Sequence, residues 1–152
     1  MQEKIQIISD GSLDLSRELT RERDILVVPF YVSFDGETYL KEGVELDIRE
    51  FYQRMVDHPD VFPKTSMPSV DDYYQVFLPL AKQDVPMICI CITTKFSGSM
   101  QSATTARDMI LEEYPKARIT VIDAEINTVL QGLYVLEACR LRDLGWEYDR
   151  MV

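Results

Sequence analysis

Two short segments rich in hydroxyl side chains are predicted to be loops that each precede a helix, and together they could bind an anion. The first is Lys64-Thr65-Ser66-Met67-Pro68-Ser69, and the second is Lys95-Phe96-Ser97-Gly98-Ser99-Met100-Gln101-Ser102-Ala103. Backbone N–H groups in the first turn of a helix have no acceptor within the helix, and the helix dipole favours negative charge there. Neutral hydroxyl donors beside such groups can hold a carboxylate without burying a second full charge. The two segments therefore predict a site for a small anionic head group.

A carboxylate fits these segments better than a polyphosphate does. They lack the Lys-Ser/Thr ending of a P-loop and the third glycine of a dinucleotide-binding fingerprint. Four residues are the candidates for ligand binding: Thr65, Ser66, Ser97 and Gly98. Structural alternatives remain open, because Ser97 and Ser99 could simply cap a helix and Thr65 could belong to a turn before Pro68. Gly98 could let the backbone approach a ligand closely, or could only provide a positive φ.

The sequence offers no arrangement of residues for catalysis or metal binding. The sole histidine, His58, lies in Asp57-His58-Pro59 with no nucleophile motif beside it, and no Gly-x-Ser-x-Gly elbow occurs. Cys89 and Cys91 share one face of a predicted strand, and with Cys139 they are expected to be buried thiols rather than zinc ligands. We predict no catalytic residue, no metal, no cofactor and no enzymatic activity.

Composition and charge narrow the possible partners further. The 152 residues suffice for one domain, and their net charge of −10 argues against nucleic acid, whose phosphates require clustered Lys and Arg. The same charge disfavours an anionic membrane surface. The longest apolar run is far shorter than the roughly 20 residues that span a bilayer, and no signal peptide opens the chain. We therefore expect a cytoplasmic protein without stable membrane insertion.

Hydrophobic periodicity and turn signals predict alternating strands and helices. The predicted strands are Lys4–Ser9, Ile25–Phe34 with a bend or edge at Pro29, Met87–Thr93 and Ile119–Asp123. A two-residue hairpin at Asp35-Gly36 would return the chain through Thr38–Leu40. The predicted helices are 17–23, 48–57, one that begins after Ser69, 99–114 and 128–144. Ser16 is the expected cap of the first helix, and capping boxes are expected at Asp47–Glu50 and Ser69–Asp72.

This order of elements predicts the fold class. Strands separated by helices imply parallel pairing through right-handed crossovers, hence an α/β fold with an open, mostly parallel sheet of about four strands, flanked by helices and extended by a small hairpin. Ligands of such sheets bind beyond the carboxyl ends of the strands. The side chains expected at those ends are Asp10, Ser12, Thr94, Ser97 and Asp123. We expect the two aspartates to order neighbouring loops by accepting N–H bonds rather than to touch an anion.

Several motifs make the chain resemble the DegV family of bacterial fatty-acid-binding proteins. Ser9-Asp10-Gly11-Ser12-Leu13-Asp14-Leu15 is similar to the family's opening Ser/Thr-Asp-Ser-x-x-Asp-Leu, and Thr65-Ser66-Met67-Pro68-Ser69 is similar to its Thr-Ser-x-Pro-Ser. Thr94–Ala103 and Val121-Ile122-Asp123-Ala124 match two later motifs in order and spacing. The chain departs from the family pattern at three positions: Gly11 and Ala124 stand for Ser, and Ser99 stands for Thr.

The resemblance implies a function and a partner. In the family, hydroxyls at the positions of Thr65 and Ser97 hold the carboxylate of a long-chain fatty acid, which the protein presents to a fatty-acid kinase. The site lies between two domains, so residues 1–145 are expected to be the N-terminal α/β domain and 146–152 the start of a connection to a missing second domain. The acyl tail would need an apolar tunnel, for which the sequence favours no residue over ordinary core packing.

Two other functions stay open at this point. The chain could be an enzyme domain related to dihydroxyacetone kinases that acts on a small phosphorylated or hydroxylated substrate, which would require a catalytic histidine near the two segments. It could also be a partner-binding module that binds no small ligand, in which case removing the hydroxyls of Thr65 and Ser97 would change nothing measurable.

Overall fold

The structure is a computed structural model that describes residues 4–152; residues 1–3 of the predicted N-terminal domain lie outside the described residues. The strands are β1 (Gln6–Asp10), β2 (Ile25–Val28), β3 (Tyr31–Ser33), β4 (Leu40–Lys41), β5 (Lys64–Ser66), β6 (Met87–Cys91) and β7 (Ile119–Asp123). The helices are α1 (Arg17–Glu22), α2 (Ile48–Asp57), α3 (Val70–Lys82), α4 (Ser99–Glu113), α5 (Thr128–Asp143) and α6 (Tyr148–Met151). A short 3-10 turn, Gly11–Leu13, follows β1 directly.

The main sheet is open and parallel, as the sequence predicts. Its strand order is β2-β1-β6-β7, and every neighbouring pair runs parallel. The central strands β1 and β6 are buried along their whole length. Continuous apolar strands of this kind require cover on both faces of the sheet.

Helices provide that cover and divide the core in two. On one face, α3 and α4 pack over side chains such as Ile8 and Cys89 through Phe77 and Ile110. On the other face, Ile7, Ile88 and Ile90 lie in a cluster with Val135 of α5 and Tyr148 of α6. Odd and even positions of β1 therefore face opposite helical layers, as strand geometry requires. All three cysteines are free and buried, which confirms the prediction made for them.

A second, smaller sheet corrects three local predictions. The strand predicted for Ile25–Phe34 divides at Pro29-Phe30 into β2 and β3, which belong to different sheets. Pro29 has no N–H to offer a ladder, and the Phe30 carbonyl accepts the N–H of Glu42 beside the small sheet. The order of this antiparallel sheet is β4-β3-β5, so Lys64–Ser66 is a strand rather than a loop.

The predicted hairpin forms between β3 and β4, but its connection is longer than the two-residue turn predicted at Asp35-Gly36. The connection from β3 to β4 runs from Phe34 to Tyr39. The Asp35 carboxylate organises it by accepting the N–H groups of Glu37 and Thr38 and the hydroxyl of Ser33. A carboxylate that accepts local backbone N–H groups replaces the tight turn that an Asp-Gly pair alone would favour.

Helix caps follow the sequence with one exception. Ser16 caps α1, and Ser69 with Asp72 forms a reciprocal capping box at α3. At α2, Asp47 accepts the N–H groups of Arg49 and Glu50, but the carboxylate of Glu50 pairs with Arg54 instead of completing a box. A charged partner one turn away holds that carboxylate on the helix surface.

No sequence pattern indicated the helix α6. Its Tyr148 is buried, and the Tyr148 hydroxyl lies 2.5 Å from the hydroxyl of Thr120 on β7. Part of 146–152 therefore packs on the α5 face of the sheet, while a connection from there to a second domain stays a prediction. None of the helices in the described part of the chain is long and apolar enough to cross a membrane.

Candidate functional site

The carboxyl ends of β1, β6 and β7 bring the predicted polar residues to one edge of the sheet. Beyond β7, the Asp123 carboxylate accepts the hydroxyl of Thr94 at 2.7 Å and the backbone N–H groups of Thr94 and Glu125. Burial favours a raised pKa for Asp123, but these hydrogen bonds to its ionised form outweigh it and lower the pKa. The expected role of Asp123 as a loop-ordering acceptor is confirmed.

Asp10 performs the same role at the end of β1, but fully inside the protein. Its side chain has no solvent exposure. One carboxylate oxygen accepts from the Ile92 N–H at 2.9 Å and the Ser99 hydroxyl at 2.8 Å. The other oxygen accepts from Gln131 Nε2 at 2.9 Å and from the hydroxyl and N–H of Ser12. The buried charge is thus hydrogen-bonded by three chain segments besides its own.

Ser97 and Gly98 lie where the chain enters α4. Gly98 is the N-cap and offers no side chain, and the Ser97 Oγ accepts the Ser99 N–H at 3.1 Å. Ser97 therefore satisfies one N–H group of the first helical turn, as the capping alternative expects, although Gly98 is the N-cap residue. The O–H of Ser97 remains available to donate. Ser97 is half-buried, whereas Ser99 is fully buried and donates to Asp10 instead of capping the helix.

Thr65 and Ser66 lie on the exposed strand β5, opposite Val32 and Tyr31. Among the described residues, neither hydroxyl has a hydrogen-bond partner. Directly opposed residues of an antiparallel pair place their side chains on the same face. Val32 also pairs with Leu40 on the other side of β3, so Thr65 shares a face with both apolar side chains.

The two hydroxyl-bearing segments meet at Gly98. A Cβ added to Gly98 would lie 2.7 Å from Met67 Sδ, so any other residue at this position would require the flexible end of the Met67 side chain to shift. The φ of Gly98 is −81°, and the alternative that this glycine provides a positive φ is therefore wrong. Sequence reasoning named Gly98 but missed Met67 as its neighbour, because nothing in either segment indicates which side chain would fill the space.

An ion pair fastens the start of α3 to the small sheet. Asp72 accepts from Lys41 Nζ at 2.9 Å, from the Tyr31 hydroxyl at 2.9 Å, and from the N–H and hydroxyl of Ser69. Burial favours a raised pKa for this carboxyl, but the hydrogen bonds outweigh it and lower the pKa to about 2. The sequence predicted the bond to Ser69; Lys41 and Tyr31 lie too far along the chain for a local pattern to indicate them.

Two open cavities lie on either side of α2. A groove of about 550 Å³ is lined by β3, β4, the end of α2 and the segments that follow β3 and α2, among them Val32, Phe34, Leu40, His58 and Val61. A second cavity of about 790 Å³ lies along β2 and α1, with Val44 in its lining. Both volumes are within the range of small-molecule sites, about 300–1,000 Å³. Residues 4–152 contain no cluster of His, Cys, Asp or Glu suited to a metal ion.

Known proteins have similar sequences and a similar fold. A family model described as an uncharacterised protein of the DegV family matches residues 4–152. A DegV domain-containing protein from Caldanaerobacter subterraneus is 37% identical over 150 residues, which are 99% of this chain and 51% of that protein.

Two solved structures are similar over nearly the whole chain. A stearic-acid-binding protein from Eubacterium ventriosum has a TM-score of 0.94 and 46% identity over 97% of this chain and 50% of its own. DegV from Bacillus subtilis, a fatty-acid-binding protein, has a TM-score of 0.84 and 27% identity over 98% of this chain and 51% of its own. The chain therefore spans about half the length of these relatives.

We expect the stability that Asp72 contributes to be lost as the pH falls from about 4 to about 2. The pKa of Asp72 is lowered from 3.8 to about 2 in the folded chain, so the unfolded chain takes up the proton first. An Asp72→Asn variant should therefore be less stable than the wild type at neutral pH, and the difference should shrink at low pH. Urea unfolding midpoints across this range measure the effect.

Asp71→Asn is the matched control for this experiment. Asp71 is the preceding residue, and its carboxylate accepts only from Gln75 Nε2, at 3.2 Å, within the described chain. The difference in stability between Asp71→Asn and the wild type should change much less with pH than the difference for Asp72→Asn. A gap between wild type and Asp72→Asn that stays constant down to pH 2 would contradict the role assigned to the Lys41–Asp72 pair.

Proposed function

This chain belongs to the DegV family, and from that premise we propose that it binds a long-chain fatty acid and holds the carboxylate between Thr65 and Ser97. The observation that carries the proposal is the contact of the two hydroxyl-bearing segments at Gly98 and Met67. The relatives of known structure support the choice of ligand, because they are described as binding stearic acid or fatty acids.

Free hydroxyl donors suit a carboxylate in this acidic chain. The hydroxyls of Thr65 and Ser66 have no partner in the described part of the chain, and the Ser97 hydroxyl keeps its proton to donate. N–H groups in the first turn of α4 add donors that the helix cannot satisfy. With a net charge of −10, the global field repels an anion, so recognition must be local. The exposed Lys64 and Lys95 beside the two segments add the nearest positive charge in sequence.

We propose that the acyl tail follows the groove beneath β3 and β4. Thr65 shares a face with Val32 and Leu40, and both of these side chains line the groove. A tail that starts at Thr65 can therefore lie on apolar side chains from its first carbons. Each buried CH₂ contributes about 0.8 kcal/mol, so the tail supplies most of the affinity and the hydroxyls supply the selectivity for a carboxylate.

A second half of the protein would complete the site. Phe62 is 83% exposed and Phe96 is 71% exposed, and each lies within three residues of Thr65 or Ser97 in sequence. Large apolar side chains around a polar centre are typical of a surface that another domain or ligand covers. We propose that residues beyond 152 form the opposite wall, and that the 152-residue chain alone binds fatty acid weakly.

We propose a carrier rather than an enzyme. A carboxylate held at the edge of the sheet by neutral donors keeps an oxygen free to attack the phosphoryl group of a donor bound to another protein, where the displaced leaving group would stay. Such a geometry suits presentation of the fatty acid to a fatty-acid kinase, with the chemistry performed by that partner. The chain's own residues would bind the head group, orient it and keep the tail from water.

Removing the hydroxyls of Thr65 and Ser97 tests the head-group site. We expect the Thr65→Ala/Ser97→Ala double variant to bind long-chain fatty acid at least about tenfold more weakly, because each hydrogen bond to a charged group is worth about 1.5–3 kcal/mol. Titration with a fluorescent polyene fatty acid measures the affinity, and mass spectrometry of extracted lipid identifies what the protein carries after purification.

Thr105→Ala is the matched control, because that hydroxyl contacts only Gln101 on the same helix within the described chain. Unchanged affinity in the double variant would contradict the roles of Thr65 and Ser97. If the wild type, both as this chain and in the full reading frame, carries no lipid, the fatty-acid function is wrong. Binding of small phosphorylated or hydroxylated compounds would then favour the enzyme-domain alternative.

Filling one cavity at a time tests the path of the tail. Val61 lines the groove and Val44 lines the second cavity, and both side chains are partly exposed, at 39% and 66%. We expect Val61→Trp to shift the preferred ligand toward shorter acyl chains, because the indole occupies volume that the tail needs. Val44→Trp should leave the preference unchanged. Competition titrations with fatty acids of graded length measure the preferred chain length of both variants. A shift in that preference only with Val44→Trp would place the tail in the second cavity.

A further inference from the structure

The hydrogen bonds of Asp10 extend beyond its immediate partners to the helix α3. Ser99 Oγ, which donates to Asp10, also lies 2.6 Å from the hydroxyl of Tyr73. Asp10, Ser99 and Tyr73 are each fully buried, with no measurable exposure. A continuous chain of polar groups therefore crosses the α3–α4 layer of the core without contact with solvent.

With the Asp10 carboxylate as the acceptor, the protons along this chain have one arrangement. The Ser99 hydroxyl has a single hydrogen, which it donates to the Asp10 carboxylate. The Tyr73 hydroxyl must therefore donate to Ser99 Oγ, because a hydroxyl whose proton is used can only accept. Burial raises the pKa of Tyr73 well above its usual range, so this donor stays protonated. The order Tyr73 to Ser99 to Asp10 is thus fixed, and each link depends on the next.

Two members of this chain of hydrogen bonds, Ser99 and Tyr73, lie in or close to the two hydroxyl-bearing segments in sequence. Ser99 follows Ser97 by two residues, and the Ser97 Oγ accepts the N–H of Ser99. Tyr73 lies in the first turns of α3, four residues after the cap Ser69, whose segment begins with Thr65 and Ser66. A change in the position of Ser99 or Tyr73 would therefore move one hydroxyl segment relative to the other.

We infer that Asp10, Ser99 and Tyr73 are positioning residues that set the separation between Thr65 and Ser97, so that head-group recognition depends on a buried anion which the ligand never touches. This inference rests on the proposed carboxylate site. It goes beyond that site because it assigns a binding role to three residues of the core. It also explains why a carboxylate lies buried beneath a site for anions: Asp10 is fully hydrogen-bonded by the protein, so its charge orders the loops.

Three substitutions distinguish a role in positioning Thr65 and Ser97 from a role in the stability of the fold alone. Ser99→Ala breaks the chain at its centre, and Ser99→Thr keeps the hydroxyl with the residue that the family pattern has at this position. Thr120→Val is the matched control. It also breaks a hydrogen bond between an aliphatic hydroxyl and a tyrosine hydroxyl, that of Thr120 with Tyr148, but on the opposite face of the sheet. Where Ser99→Ala folds poorly, Tyr73→Phe serves as the second variant, since it removes the hydroxyl that contacts Ser99 and, at 3.7 Å, Cys91 Sγ.

The first measurement is amide hydrogen exchange of the ligand-free chain. We expect Ser99→Ala to accelerate exchange by roughly tenfold or more in both segments, 65–69 and 97–100, because each segment loses the hydrogen bonds through which the other supports it. Ser99→Thr and Thr120→Val should leave both segments as in the wild type. Acceleration confined to 97–100, or absent from both segments, would overturn the inference.

The second measurement compares a long-chain fatty acid with its methyl ester. A positioning role predicts that Ser99→Ala lowers affinity for the acid by about tenfold and leaves affinity for the ester unchanged, since only the acid uses both hydroxyls as a carboxylate site. Equal losses for both ligands would show a general structural defect and overturn the inference. If the wild type binds neither ligand, the proposed function fails, while the exchange experiment still decides whether the two segments are coupled.

Discussion

The carboxylate of Asp10 must be hydrogen-bonded on both oxygens, because a buried charge without partners costs several kcal/mol, a large part of the net stability of a domain. Its hydrogen bonds come from the turn after β1, the end of β6, the start of α4 and the first turn of α5. Each of these segments must therefore reach a fixed position. The carboxyl edge of the sheet, where ligands of this fold class bind, is built around that requirement.

Buried and exposed polar groups have different roles at this edge of the sheet. Asp10 and Asp123 are satisfied by the protein's own donors, and they order the loops from within. The hydroxyls of Thr65 and Ser97 lie farther out, where donors remain for a ligand. The Lys41–Asp72 pair fixes the small sheet to α3, so the strand that carries Thr65 is held against the main fold. The proposed function needs both parts, since free donors bind an anion tightly only when their positions are fixed in advance.

The sequence predicted those features that neighbouring residues determine. The apolar run of β6, the caps Ser16 and Ser69, and the end of α5 before Gly145 all follow from local patterns. Predictions failed where residues distant in sequence determine the structure. For example, β3 does not continue β2 as one strand but pairs with β4 and β5 in the second sheet. Motifs located the four candidate site residues, but no local pattern connects Gln131 with Asp10 across 121 positions, or Lys41 with Asp72.

The most direct test of the central claim is a crystal structure of the protein with a long-chain fatty acid bound. The proposal predicts that the carboxylate oxygens lie within hydrogen-bond distance, about 2.5–3.0 Å, of both Thr65 Oγ1 and Ser97 Oγ. It also predicts an acyl chain that leaves this point along Val32 and Leu40. A bound fatty acid whose carboxylate contacts neither hydroxyl would contradict the claim, even if the protein carries the lipid with high affinity.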